Sequence, residues 1–209
     1  MISYAFYPTL LDSYGRFKRS EDDLSFNDLF DKINKVKSET DEQRLKGIAF
    51  ESLINEMIHS GNVNCINGQF LSGDFQFDER VVLMIYEKLK RTTKIQSYQE
   101  GIIETSKGNV KLYGIFDYEF PEMTVDLKTT ANYRFGKYEN NMQHHFTSLI
   151  TDKKEFNYVA TDFEYVYIEN YWLTDKTKKA CMDEILDFID FIEYYSKLIT
   201  DRTIFNGRI

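Results

Sequence analysis

Cysteine and proline are scarce in this chain: two of each in 209 residues. The cysteines, Cys65 and Cys181, lie far apart and form no CxxC pair. That excludes a zinc ribbon or a four-cysteine iron–sulfur cluster built within the chain. Neither a disulfide framework nor a reactive thiol is indicated, so a reducing, cytoplasmic setting is expected. With prolines only at Pro8 and Pro121, no proline-rich linker divides the chain, and no repeat or low-complexity tract does so either. No apolar run approaches the ~20 residues of a membrane span. The opening MISYAFYPTLLDSYGRFKRS lacks a signal-peptide layout, so no membrane partner is expected. Positive charge is also short. Lys and Arg number 26 against 34 Asp and Glu, a net charge of −8, which repels polyanions at long range. The distribution is uneven. Lys107, Lys111, Lys128, Arg134 and Lys137 fall in one stretch, while many acids lie in 21–31 and 183–193. A basic working face with acidic flanks is compatible with that pattern.

Hydrophobic residues at 42% and aromatics at 16% argue for a folded chain, and its length suits one domain with a sizeable core. Residues 9–18 and 22–37 read as short helices, with Ser20 or Ser25 as N-cap. In SETDEQRLKGIAFESLINEMIHSG, apolar residues recur at Leu45, Ile48, Ala49, Leu53, Ile54, Met57 and Ile58. That is helical spacing, with Thr40 as cap and Gly61 as stop. Residues 77–91 form a further helix. Three strands follow, YQEGIIET, NVKLYGIFDYEF and EMTVDLKTT, separated by SKGN and PE. Such tight turns make an antiparallel meander. NNMQHHFTSLITD returns to helix, EFNYVATDFEYVYIENYWLT reads as two strands, and DKTKKACMDEILDFIDFIEYYSKLIT is a long amphipathic helix. The order predicts an α/β fold with a mixed five-stranded sheet flanked by helices.

Charged residues interrupt the apolar strands at one place. In YGIFDYEFPEMTVDLKTT, Asp117 ends one run, and Asp126 and Lys128 end the next. If the chain reverses near Pro121, the two carboxylates lie close together near one end of the hairpin. Close, partly buried carboxylates resist ionisation unless a cation sits between them. Their hard oxygens suit Mg²⁺ or Mn²⁺. Side chains alternate along a strand, so Asp126 and Lys128 share a face. Glu51 offers a third carboxylate, one helical turn after Gly47, whose missing side chain allows close approach to a sheet. A metal, an activated water and a point charge together suit phosphodiester hydrolysis.

These residues carry a resemblance. GIFDYEFPEMTVDLKTT looks like motifs II and III of the PD-(D/E)XK nuclease superfamily, and VDLKTTANYRFGKYENNMQHHF is similar to its RecB- and RecE-like branch of phage-type recombination exonucleases. The resemblance covers roughly 42–173. It implies a restriction-endonuclease-like core within a single domain over 1–209, with N-terminal helices in 1–60, the catalytic core in 42–173 and a C-terminal helix in 174–200. It implies metal ligation by Glu51, Asp117, Asp126 and the Leu127 carbonyl, Lys128 as catalytic lysine, and Gln143 as the Gln-motif residue near the substrate. Thr129, Arg134, Lys111 and Lys137 are the candidate substrate contacts. The implied partners are DNA, a second copy of the chain, and a single-strand annealing or recombination protein, in a bacterial host and in a phage-encoded setting. The implied activity is an Mg²⁺-dependent exonuclease without an iron–sulfur cluster. A junction resolvase and an inactive DNA-binding subunit are the alternatives. Two departures stand out. The branch commonly has His where this chain has Glu51, and Phe146 and Thr147 stand where the Gln helix usually carries Tyr.

Plainer readings exist for each residue. Asp117 could be a turn cap, Asp126 and Lys128 an exposed edge pair, and Glu51 or Gln143 ordinary polar helix positions. His144 and His145 point in different directions on a helix and read as structural or substrate-facing. His59 suits a helix C-terminus. Tyr165, Tyr167, Tyr171 and Trp172 could stack bases, but alternating strand spacing favours packing. Glu100 and Glu104 are reserve carboxylates. Asp152, Lys153 and Lys154 read as a solvated loop. Ile185, Phe188, Ile189 and Ile192 form a stripe for core packing or an oligomer contact.

Overall fold

The structure is a computed structural model that describes residues 2–20, 22–37, 41–61 and 63–205. Its axis is the strand β6 (Gly108–Glu119), which pairs antiparallel along its whole length with β5 (Lys94–Thr105). The opposite edge of β6 is shared. β1 (Ile2–Phe6) lies parallel to residues 109–112, and β7 (Met123–Thr129) lies antiparallel to 118–119. From β7 the sheet continues to parallel β8 (Glu155–Thr161) and antiparallel β9 (Val166–Trp172).

The mixed α/β sheet agrees with the sequence pattern, but it has six strands rather than five. The added strand, β1, is only five residues long. Its extended form depends on pairing with a strand a hundred residues away, which local propensity does not encode. A second, three-stranded sheet was also absent from the sequence reading. It comprises β2 (Cys65–Ile66), β3 (Gln69–Ser72) and β4 (Phe75–Asp78). Its first turn is Asn67–Gly68, both with positive φ (53° and 74°), the hairpin signature that an Asn-Gly pair provides.

Among the described residues, six α-helices surround the sheets: α1 (Pro8–Ser20), α2 (Asp23–Ile33), α3 (Glu42–Ser60), α4 (Glu79–Leu89), α5 (Met142–Ile150) and α6 (Asp175–Tyr194). Short 3₁₀ turns follow at Ser196–Leu198 and Arg202–Phe205. Asp22, not Ser20 or Ser25, caps α2, accepting from Ser25 N at 2.6 Å. Asp41 caps α3 through Arg44 N at 2.7 Å, and the expected cap Thr40 lies outside the described residues. Gly61 ends α3 in the left-handed conformation, φ 68°. Among the described residues, no helix is long and apolar enough to cross a membrane.

Two large apolar clusters hold these parts together. One joins β1 and residues 110–112 to α1, α2, α5 and α6, and contains Phe6, Leu112, Phe146, Ile185, Phe188, Ile189 and Ile192. The α6 stripe is therefore core, each such side chain contributing about 1.5–3 kcal/mol by burial. The other joins α3, α4 and the small sheet to Tyr118, Val125 and Leu127. Tyr118 OH also donates to Asn55 Oδ1 at 2.8 Å, and Ser72 Oγ donates to Ala49 O at 2.8 Å. The first bond fixes α3, and with it Glu51, against the end of β6, and the second ties the helix to the small sheet.

Candidate active site

The β6–β7 ladder pairs Tyr118 with Val125 and Glu119 with Thr124, and there it stops. One further step would set Asp117 opposite Asp126. The strands part instead, and Asp117 Oδ2 accepts from Leu127 N at 3.0 Å. The carboxylate thus takes over the role of a ladder carbonyl. Asp126 is only 2% exposed. Its Oδ2 lies 2.7 Å from Lys128 Nζ, and its Oδ1 accepts a hydrogen bond from Gln143 Nε2. Leu127, between them, packs into the core.

Glu51 enters from α3. A Cβ on Gly47 would stand 2.5 Å from Thr129 Oγ1, so only glycine permits this approach of the helix to the end of β7. Gln96 ties the groups together. It sits in β5 with φ 50°, and its Nε2 donates to Glu51 Oε1 and, at 3.4 Å, to Asp117 Oδ1. Among the described residues, no three His, Cys, Asp or Glu side chains are already closed around one point. The carboxylates are linked through Gln96, Leu127 N and Lys128.

The cluster is electrostatically unbalanced, with one ammonium for three carboxylates. Burial raises the proton affinity of Glu51, and the charge of Asp126 adds to it, while Lys128 opposes it. Asp117 is pushed well above the ordinary carboxylate range by burial, then by Asp126 and Glu51. Burial disfavours the Lys128 ammonium, yet Asp126, Asp117 and Asp12 together hold its pKa above the usual lysine value.

A cavity of about 710 Å³ opens beside these groups, lined by Arg44, Lys46, Glu51, Lys128, Thr129 and Phe163 among others. Lys46 Nζ stands 4.2 Å from the Phe163 ring centroid. Among the described residues, neither Arg44 nor Lys46 forms an ion pair with a carboxylate.

The structure brings Glu51, Asp117, Asp126, Lys128 and Gln143 together and places Leu127 and Thr129 beside them. It does not bring Lys111, which pairs with Glu100 at 2.6 Å. Six residues of strand separate it from Asp117, about 20 Å. Lys107 is likewise paired, with Asp190, so the expected basic face is not made by the 107–137 stretch as a whole. Glu100 is taken by Lys111, and Glu104 is exposed. Arg134 is exposed on the loop after β7, and Lys137 Nζ donates to Thr130 Oγ1 and Asn132 O. His144 is buried and stacked on Tyr171 (4.3 Å, 19°), where burial lowers its pKa to about 3. Tyr167 stacks on Tyr133, while Tyr165 and Trp172 remain exposed. Lys153 is not solvated as expected but donates to Phe120 O at 2.5 Å, pinning the β6–β7 turn.

Four contributors escaped sequence reasoning: Gln96, Arg44, Lys46 and Asp12. Asp12, on α1, accepts from Met142 N and so caps α5, whose own N-cap residue Asn141 makes no side-chain cap bond. Burial raises its pKa to about 6, opposed by the Met142 N–H and by Lys128, with Asp126 adding to the rise. None of the four belongs to a local motif. Only Arg44 and Lys46 had a signal, two cations within the two helical turns before Glu51.

No protein-family model matches the chain, and no curated protein does. Among solved structures, the crystal structure of SSO0001 is similar over 100% of this chain and 89% of its own, with a TM-score of 0.53 and 10% identity. That likeness concerns the fold alone.

Proposed function

We propose that the chain is a metal-dependent deoxyribonuclease with a restriction-endonuclease-like core, hydrolysing phosphodiester bonds from DNA ends. The observation that carries the reading is the convergence of Glu51, Asp117 and Asp126 on one ammonium, Lys128, where β6 and β7 part. The donor set fits a divalent cation. Its oxygens are hard ligands, and a 2+ charge would offset the excess that raises the proton affinity of Glu51 and Asp117. Glu51, Asp117, Asp126 and the Leu127 carbonyl would hold Mg²⁺ or Mn²⁺, which supplies water activation and charge stabilisation at the phosphate.

The chain's own groups have separable tasks. Arg44 and Lys46 hold backbone phosphate in the cavity by charge. Lys128, kept protonated by its carboxylate neighbours, donates to the attacking water or to the phosphate oxygen that gains charge. Gln143 fixes the Asp126 carboxylate through its amide. Water oxygen bonds to phosphorus as the bond from phosphorus to the leaving sugar oxygen breaks; one water proton passes to solvent, and the leaving oxygen takes a proton from solvent to become the sugar hydroxyl.

The test is degradation of matched linear and closed-circular DNA by wild-type protein and Lys128→Ala, with Mg²⁺ or EDTA. Loss of the linear form alone, dependent on metal and Lys128, supports the exonuclease. Nicking of the circle replaces it with an endonuclease. Absence of cleavage of either form contradicts the proposal.

A further inference from the structure

The segment 130–141 joins the strand bearing Asp126 and Lys128 to the helix bearing Gln143, so both of its ends lie at the site. Near its middle stands Phe135, 93% exposed, the highest value among the exposed large apolar side chains. The segment around it is firmly built. Glu169, 6% exposed, accepts from Tyr133 OH at 2.9 Å, Lys137 N at 3.1 Å, Tyr138 N at 3.3 Å and Tyr171 OH at 2.5 Å. The Tyr133 ring lies flat on Tyr167, at 3.9 Å and 11°. Lys137 Nζ bonds back to Thr130 Oγ1 and, at 2.6 Å, to Asn132 O. Gly136, with φ 73°, turns the chain directly after Phe135. The ring is therefore displayed between two anchored neighbours, Tyr133 and Lys137, each two residues away.

The segment's own charge is the reverse of the chain's. Residues 131–141 carry Arg134 and Lys137 against Glu139, in a protein of net charge −8. An exposed aromatic ring beside an exposed guanidinium is suited to a nucleobase and its phosphate, because every base has a stacking face and every nucleotide an anion. Phe135 is seven residues beyond Lys128, so even a fully extended chain keeps the two within about 25 Å, on the scale of a duplex end seated at the site.

We propose that Phe135 is a nucleobase-stacking contact that seats the terminal base pair of duplex DNA, with Arg134 on the adjoining phosphate. This rests on the deoxyribonuclease reading. The chain on either side of the ring is anchored before DNA arrives, so little ordering of the segment accompanies binding.

The experiment compares wild type, Phe135→Ala and Phe135→Trp on a blunt duplex and on a single strand of the same sequence. In parallel, Lys128→Ala, with and without Phe135→Ala, is mixed with a duplex carrying 2-aminopurine at its terminal base pair. Phe135→Ala is expected to lose about tenfold in duplex cleavage, the scale of one lost stacking contact, and less on the single strand. Phe135→Trp restores cleavage, and the 2-aminopurine signal changes only when Phe135 is present. An unchanged duplex-to-strand ratio with an unchanged fluorescence response overturns the inference while leaving the nuclease standing. So does a change of sedimentation coefficient in Phe135→Ala, which would make the ring a subunit contact. A wild type that cleaves neither DNA overturns the nuclease reading first, and this inference with it.

Discussion

The two ends of β6 treat charge in opposite ways. Near its start, Lys111 pairs with Glu100 at 2.6 Å, Tyr98 OH donates to the same carboxylate at 2.7 Å, and Lys107 pairs with Asp190. Each charge there has its own partner and faces water. Near its end, Glu51, Asp117 and Asp126 share Lys128, and two of the three hold their protons more tightly than a free carboxyl. The same strand therefore supports a neutralised surface and a frustrated cluster twenty ångströms apart. Charge arranged for stability alone would resemble the first end. The second stores an imbalance that a divalent ion would relieve, as sites with perturbed pKa values commonly do.

Changes at the frustrated end should dominate. Lys128→Ala is expected to reduce cleavage by about a thousandfold, measured as the initial rate on linear DNA. It also strands Asp126 without its counter-charge, lowering the melting temperature. Adding Asp126→Asn should restore stability and leave cleavage lost. A melting temperature unmoved by either change would mean that the pair is not coupled.

Gly47→Ala comes next. The new methyl meets Thr129 Oγ1, and overpacking of this kind costs about 1–3 kcal/mol. It should displace Glu51 and slow cleavage as well. Thr129→Ala in the same chain should recover much of the loss in denaturant unfolding. Purely additive effects would place the strain elsewhere.

Asp117→Asn should act in the opposite direction on stability, raising it by about 1–2 kcal/mol at neutral pH while abolishing cleavage. The sign follows from the raised proton affinity. Ionising Glu51 and Asp117 opposes folding, so their contribution is most favourable below about pH 4, their unfolded range. It declines as pH rises toward the raised values. The gain from Asp117→Asn should therefore shrink in melting curves taken toward pH 4. A gain that persists there would assign it to something other than charge. Lys111→Ala, at the balanced end, should change neither the cleavage rate nor the melting temperature measurably, as for other exposed ion pairs. A loss of DNA cleavage would return Lys111 to the substrate contacts.

Much of the cluster was legible because strand alternation and one turn dictate it. Asp117 and Asp126 are equidistant from the β6–β7 reversal, Lys128 follows at the same-face spacing, and Gly47 precedes Glu51 by one helical turn. The parts that were not legible come from other elements. Gln96 reaches the carboxylates only because β5 lies beside β6 with a left-handed residue near its start. Asp12 meets Met142 across 130 residues. The cations of 107–137 do not gather at one face for a related reason: proximity in sequence along an extended strand means distance in space, whereas Arg44 and Lys46 lie on the helix of Glu51 and line the same cavity. β1 shows the same limit in the fold, since its strand state is supplied by its partner.

The central claim is most directly tested by titrating Mn²⁺ calorimetrically into wild-type protein and into Asp126→Ala, each shown folded by its melting curve. The account predicts saturable binding in the wild type that disappears in Asp126→Ala. Equal heats from both proteins, or none from the wild type, would contradict it.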